Sequence, residues 1–176
     1  MTITYKIHEH DFVALYLFIF SKSEIIKKKR KKGWILLTIT FAVISFYFLM
    51  KQESSMSISA GLVTLITVLY YPKYFNWRYK KHYQKHVRNT HSKRFGQTEH
   101  MEISADSIII KNTIGEGKIK TSEIKKIDET KDYFFLKIST DDLFFIPKKE
   151  LTNTDALRMK FKEIGFTIND QTNLEF

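Results

Sequence analysis

The chain has 176 residues, enough for one compact domain with accessory segments. It has no cysteine, which excludes disulfides, thiolate catalysis and cysteine-ligated metals. A formal net charge of +10 directs attention to anionic partners, lipid or nucleic acid, while 15 Phe and 9 Tyr against 2 Pro and 6 Gly argue against extended disorder.

The chain opens on a strand-like ITYKI, Ile3–Ile7, suited to pair at the edge of a sheet. His8-Glu9-His10 reads as exposed edge residues, and Asp11 as a cap for a short apolar helix over Phe12–Phe20. Nine residues cannot span a bilayer, so this helix is expected to pack on the domain or lie at an interface. Residues 1–32 close on six consecutive cations, Lys27, Lys28, Lys29, Arg30, Lys31 and Lys32.

Residues 33–77 read as a transmembrane hairpin. Gly33 to Met50 are eighteen residues without a charge, the length of a first span. Met56 to Tyr71 form a second uncharged run, which Pro72 and a snorkelling Lys73 extend to give a span over 56–75. Five residues, Lys51 to Ser55, separate them, so the spans are expected to be antiparallel neighbours. Basic residues crowd the outer flanks and the connector has only Lys51, which by the positive-inside rule places both termini in the cytoplasm. Trp34 and a cluster from Tyr70 to Tyr79 agree as interfacial aromatics. A cleaved signal peptide is set aside, because more than thirty residues precede the first span. The remaining alternative is a buried helical hairpin in a soluble core. Ser57, Ala60, Gly61 and Thr64 line one side of the second helix with small side chains for close packing. Neither span contains an ionisable side chain of the kind transport uses, which disfavours a transporter.

Residues 78–97 are expected to continue as a basic juxtamembrane helix, with Phe75, Tyr79, Tyr83 and Val87 recurring on one face. Its charge could be a topology signal, a headgroup-binding surface or a nucleic-acid surface. The position beside the spans favours the first two, and no nucleic-acid-binding signature accompanies it. The candidate anionic-lipid contacts are therefore Lys27, Lys28, Lys29, Arg30, Lys31 and Lys32 before the hairpin, and Lys73, Arg78, Lys80 and Lys81 after it. His82 and His86 have the four-residue spacing of a metal pair, with His91 beyond. The surrounding Lys81, Lys85 and Arg88 oppose a cation, so no metal site is assigned.

From Thr98 the texture becomes β-rich, with strands expected at His100–Ser104, Ser107–Asn112, Glu116–Thr121, Ile124–Glu129, Tyr133–Ser139 and Leu143–Pro147. Turns are read at Ala105-Asp106, Thr113-Ile114-Gly115, Lys131-Asp132 and Thr140-Asp141, with a corner at Ser122-Glu123. Gly115 and Gly117 lack the lysine and Ser/Thr of a phosphate loop and read as hairpin residues. Caps at Thr152 to Asp155 and a Leu157, Phe161, Ile164 stripe predict one helix ending near Gly165. Residues 98–176 are expected to form an antiparallel curled sheet or open barrel closed by that helix, which makes the chain an α+β membrane protein. Lys148 and Lys149, after Pro147, are weak candidates for a headgroup or acidic peptide, against a solvated turn.

The order of parts resembles the YcxB-like family of bacterial membrane proteins. MEISADSIII, KTSEIKKIDETKDYFFLKI and FFIPKKEL look like that family's strand pair, Ser-Glu-Ile corner, aromatic strand and Ile-Pro-Lys turn. The family often has Trp before the corner, where this chain has Thr121. The resemblance implies a C-terminal domain similar to pleckstrin-homology-like (PH-like) modules, and a location in the bacterial cytoplasmic membrane. It implies no activity.

No nucleophilic triad or paired-carboxylate pattern is visible, and no cofactor is expected. The expected function is a noncatalytic, membrane-anchored interaction module presenting its β domain at the cytoplasmic face to a protein or lipid partner, with no nucleic acid. The alternative is an immunity or defence component acting through the hairpin, and an enzyme with an unrecognised site is the residual reading.

Overall fold

The computed structural model describes residues 1–113 and 115–174. Ile114, in the middle of one expected turn, lies outside the described residues, as do the last two positions of the 98–176 segment. The chain forms two compact units, Met1–Tyr16 with His86–Phe176, and Leu17–Lys85.

The Leu17–Lys85 unit is built on two long helices, α2 (Glu24–Met50) and α3 (Ser54–His91), the second of which runs on into the other unit. At the start of α2 the Ser23 hydroxyl accepts a hydrogen bond from the Ile26 amide. The basic run 27–32 therefore forms the opening turns of the first long helix rather than a segment ahead of it. Likewise α3 is one helix, and the expected span 56–75 and basic helix 78–97 are its two ends. It stops at His91, and a 3-10 turn, Ser92–Arg94, follows.

Among the described residues, hydrogen bonds at three places tie α2 to α3. At the connector end Ser45 and Ser57 each donate a side-chain hydrogen bond to the other's carbonyl, at 2.9 and 3.0 Å. At the basic end Arg30 donates to Asn76 Oδ1 at 3.3 Å. The third contact repairs a defect. Pro72 lies inside α3, and a proline has no N–H to give the carbonyl four residues back. That carbonyl is Val68 O, and Trp34 Nε1 donates to it at 3.2 Å. Nearby, Gly33 leaves room for the Tyr71 side chain, because a Cβ there would lie 2.3 Å from the Tyr71 hydroxyl oxygen. Thr40, Ser59, Thr64 and Thr67 turn their hydroxyls onto carbonyls four residues back in their own helix, so they present no bare donor outward.

Both helices are long and apolar enough to cross a membrane, and none of the residues in their apolar windows is buried. Leu36, Phe46, Ile58 and Leu69 are more than half exposed. The described residues of this chain therefore do not cover these side chains. The apolar face of the C-terminal part of α3 packs through Tyr79 onto Phe20 of α1 (Glu9–Lys22), with ring centroids 4.9 Å apart.

The other unit joins both ends of the chain. Its first sheet has the order β1-β2-β3-β4, where β1 is Thr2–Lys6, β2 Thr98–Ile103, β3 Ser107–Lys111 and β4 Glu116–Lys120. The N-terminal strand thus pairs with β2 in antiparallel register, Ile3 opposite Met101 and Tyr5 opposite Glu99. Ile3, Tyr5 and Ile7 alternate inward with Met101, Ile103, Ile108 and Ile110.

The second sheet has the order β7-β6-β5-β8, with β5 at Ile124–Glu129, β6 at Tyr133–Ile138, β7 at Leu143–Pro147 and β8 at Ile168–Asp170. A 3-10 turn at Thr121–Glu123 makes the expected corner between the sheets. The expectation of a wholly antiparallel domain is corrected, since β8 pairs parallel with β5, Ile127 opposite Ile168. The strands of the expected curled sheet or open barrel form two four-stranded sheets. The aromatic strand β6 is buried on both faces. Phe134 meets Phe161 of α4 (Thr154–Glu163) edge-on at 5.9 Å, and Phe145 meets Phe12 edge-on at 5.4 Å. Asn153 caps α4 through the Ala156 amide. Gly165, with φ +97°, ends the helix in a Schellman turn, in which the Phe166 amide reaches Phe161 O at 2.9 Å and the Gly165 amide reaches Lys162 O at 2.9 Å.

Candidate functional site

The cations expected to meet anionic lipid lie on the two long helices. Lys27 pairs with Glu24 at 2.8 Å, Arg30 holds Asn76, and Lys81 lies 5.3 Å from the Trp77 ring centre. Among the described residues, Lys28, Lys29, Lys31, Lys32, Lys73, Arg78 and Lys80 have no ion pair. On α2, Lys28, Lys31 and Lys32 share one face with Ile35, Leu36 and Ile39, so a cationic stripe passes directly into an apolar one. A cleft of about 520 Å³ on this unit is walled by Leu37, Tyr71, Phe75 and Tyr79, with Arg78 and His82 also lining it.

In the β unit the two candidate lysines part company. The Lys148 ammonium donates to Glu129 Oε1 and to the Thr130 carbonyl, both at 2.5 Å, and lies 4.9 Å from the Phe134 ring centre. It is bound into the domain interior, while Lys149 is exposed. Glu129 also accepts from Arg158, Nε at 2.9 Å and a terminal nitrogen at 2.5 Å. Burial alone would raise the Glu129 pKa, but the hydrogen bonds from Arg158 and Lys148 outweigh it and hold the carboxyl below its usual range.

Among the described residues Glu129 is one of four buried carboxylates, with Asp11, Glu99 and Asp128. Glu99 meets Arg94 at 2.8 Å, Asp128 meets Lys126 at 2.8 Å, and Glu129 meets Lys148 and Arg158. Among the described residues Asp11 has no lysine or arginine in ion-pair range and faces two imidazoles instead, His8 Nδ1 at 3.6 Å and His10 Nε2 at 3.3 Å. Its Oδ2 accepts the His8 amide at 2.6 Å, the reach-back of a helix-capping carboxylate, and its Oδ1 accepts the Tyr133 hydroxyl at 2.8 Å. Burial, then the charge of Asp11, drive the Tyr133 phenol far above its ordinary pKa, so it stays a donor.

His8 and His10 thus do not lie on a sheet edge, and Asp11, expected as the cap of a helix from Phe12, is inside α1, which begins at Glu9. They stand together at the start of α1 with one ligand atom each, all within 4.8 Å of one another. They line a cleft of about 300 Å³ with Asp132, Tyr133, Pro147, Lys149 and Glu150. Of the His82, His86 and His91 series, the last two pack on the same ring, Tyr16. His86 lies edge-on to Tyr16 at 5.3 Å, and His91 stacks on Phe12 at 4.4 Å and shares a 3.0 Å hydrogen bond with the Tyr16 hydroxyl. Burial, and then the Arg94 charge, lower the His91 pKa.

A family model described as YcxB-like protein matches residues 103–160, a stretch from the end of β2 into α4. No curated protein and no solved structure matches the chain.

Proposed function

Taking residues 103–160 as a YcxB-like segment, we propose that the chain is a noncatalytic interaction module anchored in a bacterial cytoplasmic membrane by its two long helices. Both termini and the β unit lie on the cytoplasmic side, where a PH-like domain meets a protein or lipid partner. The observation that carries this reading is the pair of exposed apolar windows, each ending in cations on the side away from the connector. In water those side chains would forfeit the burial that stabilises ordinary helices. In a bilayer they sit in hydrocarbon while Trp34, Tyr74 and Trp77 sit at the headgroups. The internally satisfied hydroxyls and the Trp34 bond to the carbonyl left by Pro72 suit the same medium, where an unpaired backbone group costs several kcal/mol.

Lys31 and Lys32 are then headgroup contacts worth about 1 kcal/mol each near an anionic leaflet. In the full chain reconstituted in mixed phosphatidylcholine and phosphatidylglycerol membranes, spin-labelled phosphatidylglycerol should be enriched at the protein. The Lys31→Gln/Lys32→Gln variant should lose about 2 kcal/mol of that preference. Equal lipid selectivity in the two proteins would remove the anionic-leaflet assignment.

A further inference from the structure

We propose that His8, His10 and Asp11 form a binding site for a borderline transition-metal dication, zinc in the first instance, in a cleft of the β unit. In a chain of net charge +10 this cleft is a local exception: three carboxylates, Asp11, Asp132 and Glu150, line it against one ammonium, Lys149. The stronger observation is Asp11 itself. Its carboxylate is 1% exposed, and among the described residues it is the one buried carboxylate whose ion-pair partners are imidazoles alone. A buried carboxylate without a fixed counter-charge is costly. A dication held between it and two neutral imidazoles supplies that charge.

The spacing suits the ion. Zinc bonds of about 2.0–2.2 Å to nitrogen and oxygen place neighbouring tetrahedral ligands about 3.3 Å apart. Asp11 Oδ1 stands 3.3 Å from His10 Nε2 and Asp11 Oδ2 stands 3.6 Å from His8 Nδ1, so the two imidazoles flank the two oxygens of one carboxylate. One ligand atom from each of the three residues lies within 4.8 Å of the other two, and the two rings stack with centroids 5.3 Å apart. The His10 side chain is 67% exposed, so its ring is free to close the gap. The outer layer is also in place, because Tyr133 and the His8 amide orient the carboxylate through their hydrogen bonds. Three protein ligands at an open cleft leave a fourth position for water or for an anionic group of a partner.

The test is calorimetric titration of zinc into the untagged, chelator-stripped full chain in lipid nanodiscs. One equivalent should bind to the wild-type protein. His10→Ala, which removes an exposed side chain, should weaken binding at least about tenfold, and Tyr133→Phe, which replaces no ligand, about tenfold through lost orientation of Asp11. The His82→Ala/His86→Ala variant should bind as wild type does, and magnesium should not compete. Unchanged affinity in His10→Ala, or loss of binding in His82→Ala/His86→Ala, would overturn the assignment. So would the absence of zinc binding to the wild-type chain.

Discussion

Replacing Glu129 with glutamine should destabilise the β unit by about 3–5 kcal/mol, because the neutral amide leaves the Lys148 ammonium buried without its counter-charge. For a unit of this size that loss lowers the thermal midpoint by at least about 12 °C, read on the full chain in detergent or nanodiscs. The Lys148 side chain is only 12% exposed and touches the Phe134 ring, so water cannot take the place of the carboxylate. Arg158 is 38% exposed and has Asp155 as a second partner, so it loses less. Glu129→Leu/Lys148→Met, which removes both members of the pair, should recover most of the stability. The same site sets a pH dependence. The folded-state pKa of Glu129 is depressed, so its contribution is complete above the unfolded value of about 4.3 and is lost as pH falls through the folded value. The wild-type midpoint should drop across that acidic range, and the Glu129→Gln midpoint should drop less.

Arginine at the middle of both long helices should abolish membrane integration. Val43 and Ile66 are each more than half exposed, and Arg at the centre of a spanning helix opposes insertion by about 2.5–3.5 kcal/mol. Val43→Arg/Ile66→Arg therefore works against insertion by about 5–7 kcal/mol, and the protein should move from the carbonate-resistant membrane fraction to the soluble or aggregated one. On a water-soluble surface the same substitutions would fall within about 0.5 kcal/mol of neutral. Retention of the double variant in the membrane fraction would refute a bilayer location for these helices.

Much of the fold was legible because hydrophobic period and turn chemistry agreed. The strands from β2 to β7 lie within a residue or two of their expected bounds, since Asp, Asn and Gly mark the turns and the runs between them are β-branched or aromatic. Asp141 shows why such marks work: it takes the left-handed turn position, φ 66°, which Asp tolerates. β8 was not legible. Ile168–Asp170 is three residues long, too short to show alternation, and its parallel pairing with β5 is decided by where α4 leaves the chain. The buried acids were hidden for a related reason. Asp128 and Glu129 are adjacent in β5, so alternation assigns at least one of them to solvent, yet both are covered. Their partners, Lys126, Lys148 and Arg158, lie up to 29 residues away in sequence.

The His8, His10 and Asp11 group did leave a local signal. An Asp three residues after a helix start is placed to reach back to the cap residue, which turns the carboxylate toward His8. Read as exposed edge residues, His8 and His10 look separate from Asp11, the expected cap. Trp34 stands out in the sequence as the aromatic that opens the first uncharged run, but its bond to Val68 O depends on the register between α2 and α3, which no short-range pattern encodes.

The most direct test of the account is the sidedness of the connector and the β unit. The chain has no cysteine, so one introduced thiol reports its own position. In intact cells of a bacterial host, a membrane-impermeant maleimide should label Glu53→Cys in the connector. It should label Lys118→Cys, on exposed strand β4, only after the cells are opened. Labelling of Lys118→Cys in intact cells, or protection of Glu53→Cys until lysis, would contradict a hairpin anchor with a cytoplasmic β unit.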